Sequence, residues 1–159
     1  MDEKRFPLYV RGIVVKGFGR GSRELGIPTA NLDAGAVDSL PEDFKNGIYF
    51  GWASVDRGDV HKMVMSVGYN PQYKNKRRSM EAHLLHEFAD DFYGAELSVV
   101  VVGYLRDEKS FPSLDALIQA IHGDISEARI TLDRVDKYRR LNMSPFFDED
   151  DRRETNGRV

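Results

Sequence analysis

The sequence predicts a mainly β fold, a small antiparallel barrel with one helix appended towards the C-terminal end. Three observations carry that expectation. β-Branched and aromatic runs fill the first two-thirds of the chain, and such residues favour pleated strands. Residues 113–132 carry apolar side chains at intervals of three and four, which is the helical period. The strands precede the helix and do not alternate with helices, so the order is not that of a parallel nucleotide-binding sheet.

In chain order, residues 9–16 contain a β-branched run that Gly17-Phe-Gly-Arg-Gly interrupts. Residues 29–32 are a candidate short strand. Residues 48–55 and 60–67 are apolar runs joined by Asp56-Arg57-Gly58-Asp59, and the glycine in so short a connection indicates a hairpin. Residues 79–88 read two ways. As a strand, Met80, Ala82, Leu84, His86 and Phe88 share one face, with Glu81, His83 and Glu87 on the other. As a helix, Met80, Leu84 and Phe88 align equally well. Residues 96–105 hold four consecutive valines and read as a buried strand. The helix begins at Ser113, a suitable N-cap, with Asp115 near its positive end. Its stripe is Leu114, Leu117, Ile118, Ile121, Ile125, Ala128 and Leu132. Gly123 within it costs up to about 1 kcal/mol relative to alanine, which suggests a kink or a close contact. Past residue 142 the composition turns polar and acidic. The expected organisation is therefore one domain over residues 1–142 and a polar, mobile tail over 143–159.

A chain of 159 residues suits one domain that buries about 70% of its unfolded surface. Basic residues number 23 against 26 acidic, a formal net charge of −3, which argues against a duplex-DNA binder. Cysteine is absent, so disulfides, thiolate nucleophiles and cysteine-ligated zinc are excluded. The start lacks a signal-peptide pattern, and the most apolar run is too short to span a bilayer. A cytoplasmic protein, without membrane or nucleic-acid partners and monomeric, is the expectation.

Four groups of residues bear on chemistry. Gly17, Gly19, Gly21 and Gly26, with Arg20 and Arg23, offer backbone amides and positive charge that can cradle phosphate. Their spacing fits neither a Walker loop nor a dinucleotide fingerprint, and a flexible turn explains them as well. Thr29 and Asn31, two apart in an extended segment, point the same way and offer neutral oxygens to one hard cation; a plain turn is the alternative. Glu81 can serve as a general base if its segment is a strand, although a solvated glutamate is the commoner case. Lys74-Asn-Lys-Arg-Arg78 follows Tyr69 and Tyr73, a pattern that also suits single-stranded nucleic acid, but the negative total charge favours a charged loop. Arg106, Lys109 and Phe111 stand between the last strand and the helix, where they can hold an anion and a flat ring.

In their order these segments resemble the riboflavin kinase (flavokinase) family, in its small monofunctional eukaryotic form. The matching stretches include Val14-Val-Lys-Gly-Phe-Gly-Arg-Gly-Ser, Leu25-Gly-Ile-Pro-Thr-Ala-Asn31, Gly47-Ile-Tyr-Phe-Gly-Trp-Ala-Ser54 and Met80-Glu-Ala-His-Leu-Leu-His. Asp91-Phe-Tyr-Gly94, Val102-Gly-Tyr-Leu-Arg106 and Ile121-His-Gly-Asp-Ile125 follow. The resemblance spans roughly residues 8–132 and leaves out the ends and residues 33–46. It implies a six-stranded antiparallel Greek-key β-barrel with a C-terminal α-helix, and a strand at 79–88. The implied reaction passes the γ-phosphoryl group of ATP to the 5′-hydroxyl of riboflavin, giving FMN and ADP. By position, the resemblance gives Glu81 the role of general base. Thr29 and Asn31 become ligands of magnesium and ATP, zinc and other divalent cations being compatible. Gly17, Arg23, Leu84, His86 and Tyr93 fall at the nucleotide, and Arg106, Lys109 and Phe111 at the flavin. Ala82 and Asp107 depart from the family pattern without removing a functional group.

Overall fold

The computed structural model describes residues 5–16, 29–69 and 78–148. Gly17 and Arg23, and the basic stretch up to residue 77, lie outside the described residues. Six strands form: β1 (Leu8–Val15), β2 (Ala30–Leu32), β3 (Gly47–Val55), β4 (Val60–Tyr69), β5 (Arg78–Leu84) and β6 (Glu96–Arg106). They close into an antiparallel barrel in the order β1-β2-β5-β4-β3-β6. Strands β3, β4 and β5 are sequential neighbours, and β6 returns beside β3, which is a Greek key. Three helices accompany them: α1 (Ala34–Asp38), α2 (Leu114–Arg134) and α3 (Asp136–Arg139).

Alternation along the strands sorts the side chains. Val10, Val14, Leu32, Tyr49, Met65, Met80, Ala82, Leu84, Leu97, Val99 and Val101 fill the barrel. Val100 and Val102 point the other way, into a second cluster with Phe50, Trp52, Ala128 and Leu132. The valine run of β6 is thus continuous because both faces of that strand are covered, one by the barrel and one by α2. The segment between β2 and β3 that the resemblance left out adds Ala36 and Val37 from α1, then Leu40 and Phe44 beyond it, to the barrel core. The side chain of Asp33 caps α1.

The hairpin between β3 and β4 forms as expected, but not through its glycine. Asp56 and Arg57 take the left-handed conformation, with φ of 48° and 59°, and the Gly58 amide donates to the Val55 carbonyl at 2.9 Å. Both residues are also held from outside the turn. The Glu96 amide donates to Asp56 Oδ1 at 2.9 Å, and Arg57 Nε donates to Glu96 Oε1 at 3.0 Å. At 79–88 the strand reading holds only as far as Leu84.

Helix α2 starts where the sequence places it, with Ser113 Oγ accepting from the Ala116 amide at 3.1 Å. It runs unbroken through Gly123, around which a Cβ would meet nothing within 4 Å. Packing does not stop at residue 142, where the sequence placed the start of the tail. Residues Pro145–Asp148 form a 3₁₀ turn, Ser144 is buried, and Phe147 is 4% exposed within the second cluster. Two polar ties hold the chain here, one just before residue 142 and one beyond it. Trp52 Nε1 donates to the Tyr138 carbonyl at 2.8 Å. Arg11 lies 4.2 Å from the Phe146 ring centre and donates to its carbonyl. Two adjacent aromatics in an acidic stretch were enough to extend the core. Among the described residues no helix is long and apolar enough to cross a membrane.

Candidate active site

Register places the candidate residues before any loop does. Asn31 of β2 pairs with Glu81 of β5, and Glu81 with Ser66 of β4. Ser66 pairs with Ile48 of β3, and Ile48 with Arg106 of β6. The immediate neighbours Ala30, Leu32, Met65, Val67, Met80 and Ala82 are buried in the barrel. Asn31, Ser66 and Glu81 therefore stand on its outer wall, because successive strand residues face opposite ways. Thr29, two residues before Asn31, belongs to the same side.

A cavity of about 310 Å³ lies over this row, within the range of small-molecule sites. Ile48, Val64, Ser66, Glu81 and His83 form its floor, with Thr29 at one edge. Leu117, Ile121, Asp124 and Ile125 of α2 form its roof, and Arg106, Glu108, Lys109 and Phe111 its end. The apolar stripe of α2 thus serves two purposes. Its C-terminal part, Ala128 and Leu132, packs on the barrel, while the middle of the helix lines the cavity.

Glu81 is half-buried, and removal from water raises its pKa above the ordinary carboxylate value, since burial disfavours the charged form. That makes it a stronger base than a carboxylate in water. Burial also raises the pKa of Glu108, whose carboxyl lies where a Cβ on Gly68 would be. Arg106 is held on three sides. Its Nε and Nη2 donate to the two carboxylate oxygens of Asp124 at 2.9 and 2.8 Å, and its Nη1 to the Asp107 carbonyl at 3.0 Å. The guanidinium of Arg106 and the ammonium of Lys109 each stand 5.6 Å from the centre of the Phe111 ring. Apolar walls, a flat ring, cations at one end and a carboxylate base on the floor suit a planar apolar molecule with a polar tail.

The structure thus gathers Thr29, Glu81, Arg106, Lys109 and Phe111 around one cavity, with Asn31 beside Glu81. It does not bring Leu84, His86 and Tyr93 there. Leu84 is 5% exposed and packs in the barrel core, as its alternation with Met80 and Ala82 requires. His86 lies beyond the end of β5, its ring stacked 4.1 Å from that of His61; burial, then His86, lowers the pKa of His61. Tyr93 is exposed, with Lys16 Nζ 5.9 Å from its ring centre. Sequence reasoning missed Ser66, Glu108 and Asp124 as lining residues. Asp124 and Ser66 each sit in a stretch that carried part of the resemblance, Ile121-His-Gly-Asp-Ile125 and Ser66-Val-Gly-Tyr-Asn-Pro, but only the strand register places Ser66 beside Glu81. A larger cavity of about 580 Å³, between α2, α3 and the β3–β6 wall, is lined by none of the candidate site residues.

Comparison with known proteins places the chain among relatives of one family. The family model described as Flavokinase, riboflavin kinase, matches residues 4–132. Riboflavin kinase of Mus musculus is 56% identical over 144 residues, covering 91% of this chain and 92% of that protein. The Homo sapiens riboflavin kinase is 55% identical with the same coverage. The crystal structure of riboflavin kinase from Trypanosoma brucei superposes with a TM-score of 0.72 at 29% identity, covering 90% of each chain.

Proposed function

The chain belongs to the riboflavin kinase family, and from that premise we propose how its own residues carry the ATP-dependent phosphorylation of riboflavin. The flavin ring enters the cavity between the barrel wall and α2, against Phe111 and Arg106, and its ribityl chain runs along the floor towards Glu81. Glu81 accepts the proton of the 5′-hydroxyl as the new O–P bond forms and the bond to ADP breaks. Phosphoryl transfer needs positioning and charge neutralisation more than covalent help from the protein. A base whose pKa is raised by burial suits an alcohol better than an ordinary carboxylate does.

A divalent cation fits the donor set at one edge of the cavity. Thr29 and Asn31 offer a hydroxyl and an amide oxygen, both neutral. Among the described residues no group of three His, Cys, Asp or Glu side chains could hold a metal by itself. Such an ion, magnesium by its chemistry, would take its remaining ligands from nucleotide phosphates and water. When bound, it neutralises charge on the transferring phosphate. Gly17 and Arg23 are assigned to the phosphates on sequence resemblance. His86 and Tyr93 present aromatic faces to the nucleotide base, with Leu84 supporting that end of β5 from the core.

The observation that carries this reading is the opposition of Asn31 and Glu81 beside the cavity. Its test is incubation with riboflavin, ATP and magnesium, followed by separation of the flavins. FMN and ADP should appear in equal amounts, and omission of magnesium should abolish both. FMN formed without an added divalent cation would overturn the cation assignment, and ADP without FMN would overturn the transfer.

A further inference from the structure

Asp124 has no part in the mechanism above, yet it is 7% exposed in a helix whose neighbouring cavity residues are apolar. Burying a carboxylate is costly unless it is paired and hydrogen-bonded. Its partner is Arg106, in a two-point pair at 2.9 and 2.8 Å, the geometry that fixes a guanidinium plane rather than merely its charge. The third guanidinium nitrogen is held by the Asp107 carbonyl. Three of the five guanidinium N–H bonds are thus held within the protein, which fixes the plane of Arg106 beside Phe111.

We infer that Asp124 is a positioning residue for the flavin: from α2 it fixes the plane of Arg106 so that this plane and Phe111 form the end wall against which the ring packs. The inference rests on the reading that Arg106 meets the flavin. Asp124 acts through Arg106 and needs no contact with the substrate. It also ties the roof of the cavity to β6, the strand that leads into the residues at its end.

The experiment is a double-mutant cycle with Asp124→Asn, Arg106→Ala and the pair, measured by riboflavin titration of the whole protein and by steady-state kinetics. Asp124→Asn should weaken riboflavin binding and raise its KM about tenfold, with the KM for ATP within about twofold, because only one substrate meets that wall. In the Arg106→Ala background the same substitution should change riboflavin binding by less than about twofold. A tenfold loss that persists there would overturn the inference in favour of direct contact. Wild-type binding in Asp124→Asn would also overturn it. Unaltered riboflavin binding in Arg106→Ala would overturn the underlying flavin reading together with the inference, so the two failures are distinguishable. If Asp124→Asn does not fold, Asp124→Glu keeps the charge while disturbing the two-point geometry. It should show the same selective rise in riboflavin KM, and an unchanged KM would count against the inference.

Discussion

Asn31 and Glu81 are directly opposed residues of the antiparallel pair β2–β5, and both stand on the outer wall of the barrel. Opposed side chains in such a pair have Cβ atoms about 4.5–5.5 Å apart. The separation between the proposed cation ligand and the proposed base is thus set by sheet spacing, not by a loop. A slip of one residue in this register would turn Glu81 into the core and Ala82 outward. Such a slip would bury a charge, so the register that builds the site is also the one the core enforces.

Removing the carboxylate of Glu81 while keeping its shape should separate chemistry from binding. Glu81→Gln is expected to lower kcat by about a hundredfold or more, with riboflavin affinity little changed. Single-turnover kinetics combined with a binding titration check this. Near-normal turnover would remove Glu81 from the role of base.

The same residue makes a prediction about pH. Its folded pKa is raised by burial, so the native state holds a proton that the unfolded chain releases at lower pH. Stability from this group therefore falls as pH rises from the ordinary carboxylate value through the raised one, and the penalty remains above it. Glu81→Gln should accordingly melt at a higher temperature than the parent at neutral pH, the difference vanishing in acid below the ordinary carboxylate range. Activity runs the opposite way, since the base must be ionised. The acid limb of kcat/KM for riboflavin, which reports the free protein, should be displaced upward from the ordinary carboxylate position and be absent from the residual rate of the Gln variant. Equal melting temperatures at neutral pH would show that the site does not penalise the charge.

Asn31→Leu keeps the side chain's bulk and removes its oxygen. The magnesium concentration needed for half-maximal rate should rise at least about tenfold, while riboflavin binding without nucleotide stays as in the parent. An unchanged magnesium requirement would place the cation elsewhere.

Which parts of this were legible in the sequence follows from the range of the interactions involved. The barrel class and the helix after Ser113 come from local periods of two and of three to four, whereas the outward position of Glu81 follows only once the family resemblance chooses strand over helix for its segment. The row from Asn31 to Arg106 depends on five strands in register, and nothing local in any one of them marks it. The side chain of Leu84 lies in the core, as its alternation with Met80 and Ala82 requires, so a role at the nucleotide would fall to its backbone or to its support of the strand end. The hairpin shows a limit of local reading. Asp56 and Arg57, not Gly58, take the left-handed positions, with Glu96 on a distant strand bonded to both. The boundary drawn at residue 142 rests on composition averaged over residues 143–159, whereas packing turns on individual side chains such as Ser144 and Phe147.

Gly68 and Glu108 offer a test of the cavity's end wall. A Cβ at residue 68 would collide with the Glu108 carboxyl, the movable tip of an exposed side chain. Gly68→Ala should therefore cost little stability, with the melting temperature within a few degrees, yet displace Glu108 and raise the riboflavin KM several-fold. Adding Glu108→Ala should relieve the clash and restore much of the KM. If the double variant is no better than the single one, the contact does not shape the cavity.

Phe147 tests where the domain ends. It is 4% exposed, in one cluster with Phe50, Trp52, Val100, Ala128 and Leu132, so truncation leaves a void between the barrel wall and α2. Removing a buried phenylalanine side chain costs about 3–5 kcal/mol, against a total stability of about 5–15 kcal/mol for a domain. Phe147→Ala should thus shift the denaturant midpoint strongly, while the folded fraction keeps its riboflavin KM, since Phe147 is not among the residues lining the active-site cavity. Phe146 makes the useful control. It is only half-buried against Tyr9 and Arg11, so Phe146→Ala should cost clearly less. Equal small losses in both variants would return residues 143–148 to the tail that composition suggested. A large loss confined to Phe147 would fix the end of the core at the 3₁₀ turn.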